Sequence, residues 1–409
     1  MASDGARSAA VAGADAPAEG RVAARRLLTG AQAAAEAMRQ IDPDVVPVYP
    51  ITPQTPIIEA FARHLAEGRV HGEMVHVESE HSAMSAAVGS ALAGARTMTA
   101  TASQGLAYMV EVLYLAASLR APIVVAVGNR ALSGPINIHG DHSDAMLARD
   151  SGAVQLFAEN AQEAYDLMLC APRLCEHPEV RLPALVGQDG FTISHSAEPV
   201  ALLEDAEAQA FVGPYREEDA LLDVDRPLTH GAFAMPDAYF EIKVEQAKAL
   251  ERAEGVWAET AAAYRRLSGR DVAAVEAYRL EGAGRVLVAM GSAAGTAKDV
   301  VDELRARGED VGLLKIRLFR PFPRARIAAL LSGATAVGVL DRALSPGGWP
   351  PLYAEVAATL AGQVRVQSFV AGLGGRDVGP EEIHALFAAL GGAGGQESVY
   401  LGLGRGGWR

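Results

Sequence analysis

Residues 45–57 read VVPVYPITPQTPI, and this stretch sets the reading of the whole chain. A run of strand formers stops at Pro50, and a new apolar period begins at Ile57. Proline can neither donate to a β-ladder nor sit inside a helix, so Pro50 and Pro53 mark where one element ends and the next starts. Thr52 followed by Pro53 fits a helix N-cap and its first position. The order is therefore strand, tight loop, helix, and it recurs downstream. Extended runs are MVHVE (74–78), TMTAT (97–101), IVVAV (123–127) and PALVG (183–187), with VQLF (154–157) as a further short one. Between them lie small-residue helices such as SAMSAAVGSALAGA (82–95) and GLAYMVEVLYLAASL (105–119), whose Ala and Gly let a helix sit close on a sheet. This repetition predicts an α/β fold with a mostly parallel sheet covered on both faces. Ligands of such sheets lie beyond the carboxyl ends of the strands. The loops there are PITP, SEHS, SQG and GNRALSGPINIHGDH, so Thr52, Glu80, Gln104 and Arg130 are expected along one edge.

Residues 212–235 show little periodicity, and a helix is expected from Pro236 to about Leu267, with Phe240, Val244, Ala247, Trp257, Ala261 and Tyr264 near one face. Ser268-Gly269 ends it. A second α/β unit follows: RVLVAMG (285–291), TAKDVVDELRARG (296–308), DVGLLKIRLF (310–319) as one strand, ARIAALL (325–331) and AVGVLD (336–341). The expected organisation is a disordered tail over 1–21, a sheet domain over 22–235, a linker helix over 236–269, a second domain over 270–390 and a Gly-rich tail over 391–409.

With 409 residues, half of them apolar, the chain can build more than one core. A formal charge of -14 argues against a phosphate-backbone partner and equally against anionic membranes. Cys170 and Cys175 are too few for a zinc site or an iron–sulfur cluster, and they point to a reduced, cytoplasmic setting. No apolar run approaches the ~20 residues that span a bilayer.

Among the edge residues, Glu80 has two readings. It complements the dipole at the start of its helix, worth ~0.3–1 kcal/mol, or it exchanges a proton or hydrogen bond with a bound heterocycle. Glu78 competes for that role, but Glu80 stands nearer the mouth by position. Arg130 is either a surface cation or a rigid fork for a small carboxylate. His139, Asp141, His142 and Asp144 look like metal ligands, yet their spacing matches no helix-borne pair, and a hydrogen-bonded cap is the better reading. GSAAG (291–295) and GLGGRD (372–377) suggest phosphate cradles but lack the rest of a dinucleotide fingerprint, and QDGF (188–191) is not the GDG that opens a magnesium-diphosphate motif.

Taken together, YPITPQTPI, ESEHSAMSAAVGSALAGA, TASQGL, NRALSGPINIHGDHSD, KIRLFRPFP, VLDRALSPG and GLGGRDV resemble, in order, the alpha subunit of the pyruvate:ferredoxin oxidoreductases, within the thiamine-diphosphate-dependent 2-oxoacid:ferredoxin oxidoreductases. The resemblance implies a first domain of the thiamine-diphosphate pyrimidine-binding type and a second like the carboxyl-terminal domain of transketolases. It places Mg²⁺ and the 4Fe–4S clusters on partner subunits of beta, gamma and delta type. It implies oxidative decarboxylation of pyruvate, or a related 2-oxoacid, with coenzyme A taking the acyl group and ferredoxin the electrons. By the same resemblance Glu80 bonds the pyrimidine ring nitrogen, Gln104 lies on the cofactor side, Thr52 meets the substrate over the thiazolium, and Arg130 holds the substrate carboxylate. Between NRA and GDH the chain is one residue shorter than the single-chain enzymes. A cofactor held by two chains implies an obligate complex, expected as a dimer of heteromers. Two rivals stand beside this reading: the beta subunit of a lipoamide-linked 2-oxoacid dehydrogenase, and a non-catalytic α/β scaffold.

Overall fold

The alternation that starts at Val45 becomes two parallel-rich sheets in a computed structural model, which describes residues 25–215, 219–392 and 397–404. The expected amino-terminal tail and part of the carboxyl-terminal one lie outside these residues. β1 (Arg25–Thr29) opens the chain and leads into α1 (Gly30–Ile41), whose start is closed by a capping box between Thr29 and Gln32. The first large sheet then builds from β2 (Val45–Val48), α2 (Thr55–Ala66), β3 (Glu73–His76), α3 (Glu80–Leu92), β4 (Thr97–Thr101), α4 (Ser103–Ser118) and β5 (Ile123–Asn129). It continues through α5 (Ser143–Leu147), β6 (Val154–Phe157), α6 (Ala161–Cys175) and β7 (Ala184–Asp189). β8 (Ala197–Ala201) turns back to pair antiparallel with β1, a two-stranded ribbon that the hydrophobic pattern does not announce. Every residue of β4, β5, β6 and β7 is buried, as strands covered on both faces must be. The alanines of α1 let it pack closely against α6 in the main core.

After α7 (Asp205–Val212) comes α8 (Pro236–Ser268), which ends at Gly269 in the left-handed region with φ 73°. Its buried face carries Ala249, Ala253, Val256, Trp257, Ala261 and Tyr264. Phe240 and Ala247, expected on that face, are exposed, because at about 100° per residue they stand about 80–100° round the helix from Trp257, off the stripe that Gln246, Ala249 and Ala253 share with it. Trp257 Nε1 donates to the Val272 carbonyl at 3.0 Å, and the Tyr264 hydroxyl to Asp166 at 2.6 Å.

The second sheet contains β9 (Val275–Tyr278), β10 (Arg285–Ala289), β11 (Val311–Ile316), β13 (Ala336–Asp341), β14 (Arg365–Val370) and β15 (Val399–Tyr400), in the order β15-β14-β13-β10-β11-β9. Helices α9 (Ala293–Ala306), α10 (Arg324–Leu331), α11 (Pro351–Leu360) and α12 (Pro380–Leu390) belong to this half. Residues 399–400 of the Gly-rich tail thus form an edge strand. The strand expected over 310–319 is broken at Arg317. Its end, β12 (Leu318–Arg320), leaves the second sheet and pairs antiparallel with β6, giving the first sheet the order β12-β6-β7-β5-β4-β2-β3. Apolar patterning reports burial, not which sheet does the burying. Among the described residues no helix is long and apolar enough to cross a membrane.

Charge explains the break. Lys315 Nζ lies 2.7 Å from both Glu163 and Glu276 and also contacts Glu159. Arg317 bonds Glu163 at 2.8 Å and also pairs with Glu276. Lys298 joins Glu159 and Glu276, each at 2.8 Å. Three carboxylates, close enough together to hold a metal ion, are instead balanced by three side-chain cations at the seam between the sheets. Burial alone raises the Glu276 carboxyl, but the charges of Lys315 and Arg317 and hydrogen bonds from both lysines hold it down at about 2.

Lys315→Ala should leave the acids under-compensated and lower stability by about 3–5 kcal/mol, read as a shifted denaturant midpoint; an unchanged midpoint would show the cluster to be dispensable. Because the folded Glu276 carboxyl lies below its ordinary 4.5, its contribution is complete above that value and is lost as pH falls from about 4.5 toward about 2. The thermal midpoint of Glu276→Gln should therefore fall less steeply over that window than the parent's, and equal slopes would contradict the assignment.

Candidate active site

All neighbouring pairs among β2 to β7 in the first sheet are parallel, so the loops after them converge on one edge, and Thr52, Glu80, Gln104 and Arg130 all lie there. Thr52 is not the N-cap of α2. Gln54 takes that place and Pro56 sits in the first turn, so the proline rule operates one motif later than expected. Gln54 is fully buried, and its amide donates to the Ala100 carbonyl at 2.9 Å, which ties this loop to β4.

Arg130 uses two arms of its guanidinium on main-chain oxygens: Nη1 donates to Thr52 at 2.9 Å and Nε to Asn137 at 2.9 Å. Its Nη2 has no hydrogen-bond partner among the described residues. The Thr52 contact is through the carbonyl, and the residue itself is exposed. Ser103 connects the two halves of the rim, because its hydroxyl lies 2.6 Å from both Gln104 Oε1 and the carbonyl of Ala131, the neighbour of Arg130. Ser103 has φ 47°, a strained value for a residue with a Cβ. Its N–H is held at 2.9 Å by Asp144.

Glu80 and Glu78 separate cleanly, though not as position suggests. Glu78 is the solvent-facing one: its carboxylate accepts from Ser82 at 2.5 Å, a bond that lowers its pKa. Glu80, in the first turn of α3, is sunk below the rim and only 8% exposed. It accepts no hydrogen bond and forms no ion pair among the described residues. The Thr101 hydroxyl is fully enclosed without a partner, whereas the Glu80 oxygens are not fully enclosed. Both crowd Gly105, where a Cβ would lie 2.4 Å from Thr101 Oγ1 and 2.8 Å from Glu80 Oε1. Enclosed polar groups are nearly always satisfied, and here an unpaired hydroxyl and a carboxylate with only slight access to solvent face the same glycine. A bound group that offers Glu80 a proton or an N–H would supply the missing partner, so the residues present fit a protonated or N–H-bearing ring.

The four candidate metal ligands are engaged separately, as in a hydrogen-bonded cap. Asp144 accepts from Asn129, from the N–H of Arg130 and from that of Ser103; burial pushes its carboxyl up to about 6 against these bonds. Asp141 takes the Ser143 N–H at 2.9 Å and the Gly374 N–H at 3.0 Å. His139 packs against Phe191. His142 lies 2.7 Å from Asp189, whose other oxygen meets Arg342 and Ser292 from the second half. Burial alone would raise Asp189, but the charges of Arg342 and His142 hold it well below the usual carboxylate range. Asp144, Asp189 and Arg342 stand in the quoted motifs, but nothing in their spacing announces that they bond across the fold.

Residues 36–262 match the family model described as pyruvate flavodoxin/ferredoxin oxidoreductase, thiamine diphosphate-binding, and residues 283–383 match pyruvate:ferredoxin oxidoreductase core domain II. Pyruvate synthase subunit PorA of Thermotoga maritima is 54% identical over 388 residues, covering 94% of this chain and 99% of that protein. The same subunit of Methanocaldococcus jannaschii is 44% identical over 92% of this chain and 98% of its own length. Ketoisovalerate oxidoreductase subunit VorA of Pyrococcus furiosus is 38% identical over 88% and 92%. Among solved structures, a 2-oxoglutarate:ferredoxin oxidoreductase from Magnetococcus marinus with 2-oxoglutarate, coenzyme A and succinyl-CoA bound shares the fold at a TM-score of 0.70 and 20% identity, over 89% of this chain and 65% of that one. The first family model spans more than half of the chain and the relatives match almost end to end, so the chain belongs to the pyruvate:ferredoxin oxidoreductase family, as its alpha-subunit type.

Proposed function

We propose that this chain is the alpha-type subunit of a complex that oxidatively decarboxylates pyruvate, passing the acyl group to coenzyme A and electrons to ferredoxin. One observation carries the reading: a buried carboxylate without a partner, Glu80, lies on the same sheet edge as a guanidinium with an arm to spare, Arg130. Pyruvate is favoured over a branched 2-oxoacid because the pyruvate synthase subunits are more similar to this chain than the ketoisovalerate one. The missing GDG motif and the two buried, unpaired cysteines fit a division of labour in which beta, gamma and delta-type partners hold Mg²⁺, the diphosphate and the 4Fe–4S clusters. We place the complex in the cytoplasm, as a dimer of heteromers.

Thiamine diphosphate, when bound, supplies a carbon nucleophile for the 2-oxo group and takes up the electron pair left by carbon dioxide. Glu80 would hold a proton on the pyrimidine nitrogen, and its burial strengthens that bond by keeping water away. Gln104, fixed through Ser103, would line the same side. Arg130 would offer Nη2 to the substrate carboxylate while its other arms stay anchored, so little side-chain entropy is lost on binding. The exposed Thr52 hydroxyl, beside that fork, would face the reacting end of the substrate. Glu80 and Arg130 grip different molecules, and neither grip alone is strong, so this subunit should hold the cofactor weakly without its partners. The pyruvate synthase relatives weigh against a lipoamide-linked role, and the unsatisfied Glu80 weighs against a scaffold.

Glu80→Gln in the co-expressed complex should cut pyruvate- and coenzyme A-dependent reduction of a low-potential dye by about 10²–10⁴-fold, with subunit assembly by size exclusion unchanged. Full turnover in that variant would return the scaffold reading. Gly105→Ala should push the Glu80 carboxylate aside and raise the thiamine diphosphate concentration needed for half-maximal activity, and an unaltered requirement would show that Glu80 does not touch the cofactor.

A further inference from the structure

The loop that carries Arg130 is seated on the second half of the chain, through a turn whose glycines suggested a phosphate cradle. Gly372, Gly374 and Gly375 in GLGGRD have φ of 71°, 59° and 76°. Each also allows a close approach that a side chain would block. A Cβ on Gly374 would lie 2.5 Å from Asn137 Nδ2, one on Gly375 2.2 Å from His139 Cβ, and one on Gly372 2.8 Å from Arg342 Nε. The main chain of the turn is used accordingly: Gly374 accepts from Asn137 Nδ2 at 3.0 Å and donates its N–H to Asp141 at 3.0 Å. Arg342 supports the same loop one step further on, donating to the Gly140 carbonyl at 3.0 Å and accepting the His142 N–H at 2.8 Å. The Gly374 amide that an anion would need is thus turned onto the first half.

We propose that Asn137 is a positioning residue for substrate binding, transmitting the seat provided by Gly374 to the guanidinium of Arg130. Its side chain reaches across to Gly374, while its own carbonyl accepts from Arg130 Nε at 2.9 Å. One residue therefore fixes the plane of the fork from behind. The other anchor, the Thr52 carbonyl, is one hydrogen bond and leaves the guanidinium free to swing about it. Two anchors on different arms define its orientation, which is what a planar carboxylate reads. The inference rests on the reading of Arg130 as the carboxylate clamp.

The test uses the assembled complex with pyruvate as the varied substrate. Asn137→Ala, which removes the neutral bond to Gly374 and keeps the main-chain carbonyl under Arg130, should raise KM for pyruvate about three- to tenfold, the scale of one ordinary hydrogen bond, with kcat falling far less and KM for coenzyme A unmoved. Gly374→Ala, which disturbs the same contact from the other half, should give the same split. In an Arg130→Lys background, which keeps the charge but lacks Nε, Asn137→Ala should add little. If Arg130→Lys raises KM and Asn137→Ala does not, or if Asn137→Ala acts equally in both backgrounds, the positioning role is overturned while the clamp stands. If Arg130→Lys itself leaves KM for pyruvate unchanged, the clamp fails and the inference falls with it.

Discussion

A carboxylate taken fully out of water must be paired, and the pairing of Asp189 at the end of β7 holds the two sheets in one arrangement. One oxygen meets His142 from the loop after β5, and the other meets Arg342 and Ser292 from the second half. Removing one member of such a set leaves a buried charge exposed to its own desolvation, so the set tolerates little sliding. Gly291 makes the approach possible, since a Cβ there would lie 2.9 Å from Asp189 and 3.0 Å from His142. On the neighbouring part of the seam, Lys315, Arg317 and Lys298 do the same for three glutamates. Apolar contact alone would let the sheets shift by a fraction of a turn, whereas two ionic sets of fixed stoichiometry give the seam a register.

That register reaches the candidate site through a short path. His142 and Asp141 end the loop that begins at Arg130, so fixing the seam fixes the loop's far end. Asp144, just beyond, takes the N–H groups of both Arg130 and Ser103. A single buried carboxylate thereby sets the loop after β5 against the loop after β4, which leads to Gln104 and Gly105. The strained backbone at Ser103 is held by that same bond and by the Ala131 carbonyl. Strain at this point is consistent with a site that takes its shape before any ligand arrives.

The architecture was legible where one rule acts alone. Buried parallel strands between small-residue helices follow from composition and period, and the convergence of Thr52, Glu80, Gln104 and Arg130 follows from the parallel order. What was not legible is mostly a matter of partners. The run DVGLLKIRLF is mostly apolar because both of its pieces are buried, and its pattern gives no sign that Lys315 and Arg317 enter an ion cluster or that Leu318–Arg320 joins another sheet. An apolar residue on α8 such as Phe240 need not share the buried stripe, since the seventeen steps from it to Trp257 carry it about 100° round the helix. The relative depth of Glu78 and Glu80 depends on where β3 stops, and it stops at His76, leaving Glu78 in the turn beside Ser82. Likewise the glycines of GLGGRD fit a phosphate cradle or a seat for a protein loop equally well until Asn137 is seen against them.

Glu80 is where these observations meet. The chain has supplied partners for its other deeply buried carboxylates at the seam, Asp144, Asp189 and Glu163 among them, often with three donors each. It supplies none to Glu80 among the described residues, although Thr101 nearby has an unused hydroxyl and Gly105 leaves the room. Among neighbours paired so closely, a carboxylate that is 8% exposed and bonded to none of the described residues stands out, and such exceptions concentrate where a ligand completes the structure. The narrow opening around Glu80 is what would make a bond from a ligand there strong, once the ligand closes it off from water. The same reasoning explains why the subunit should depend on partners: the group that satisfies Glu80 must be held in place from the other end, and this chain offers no phosphate motif with which to hold it.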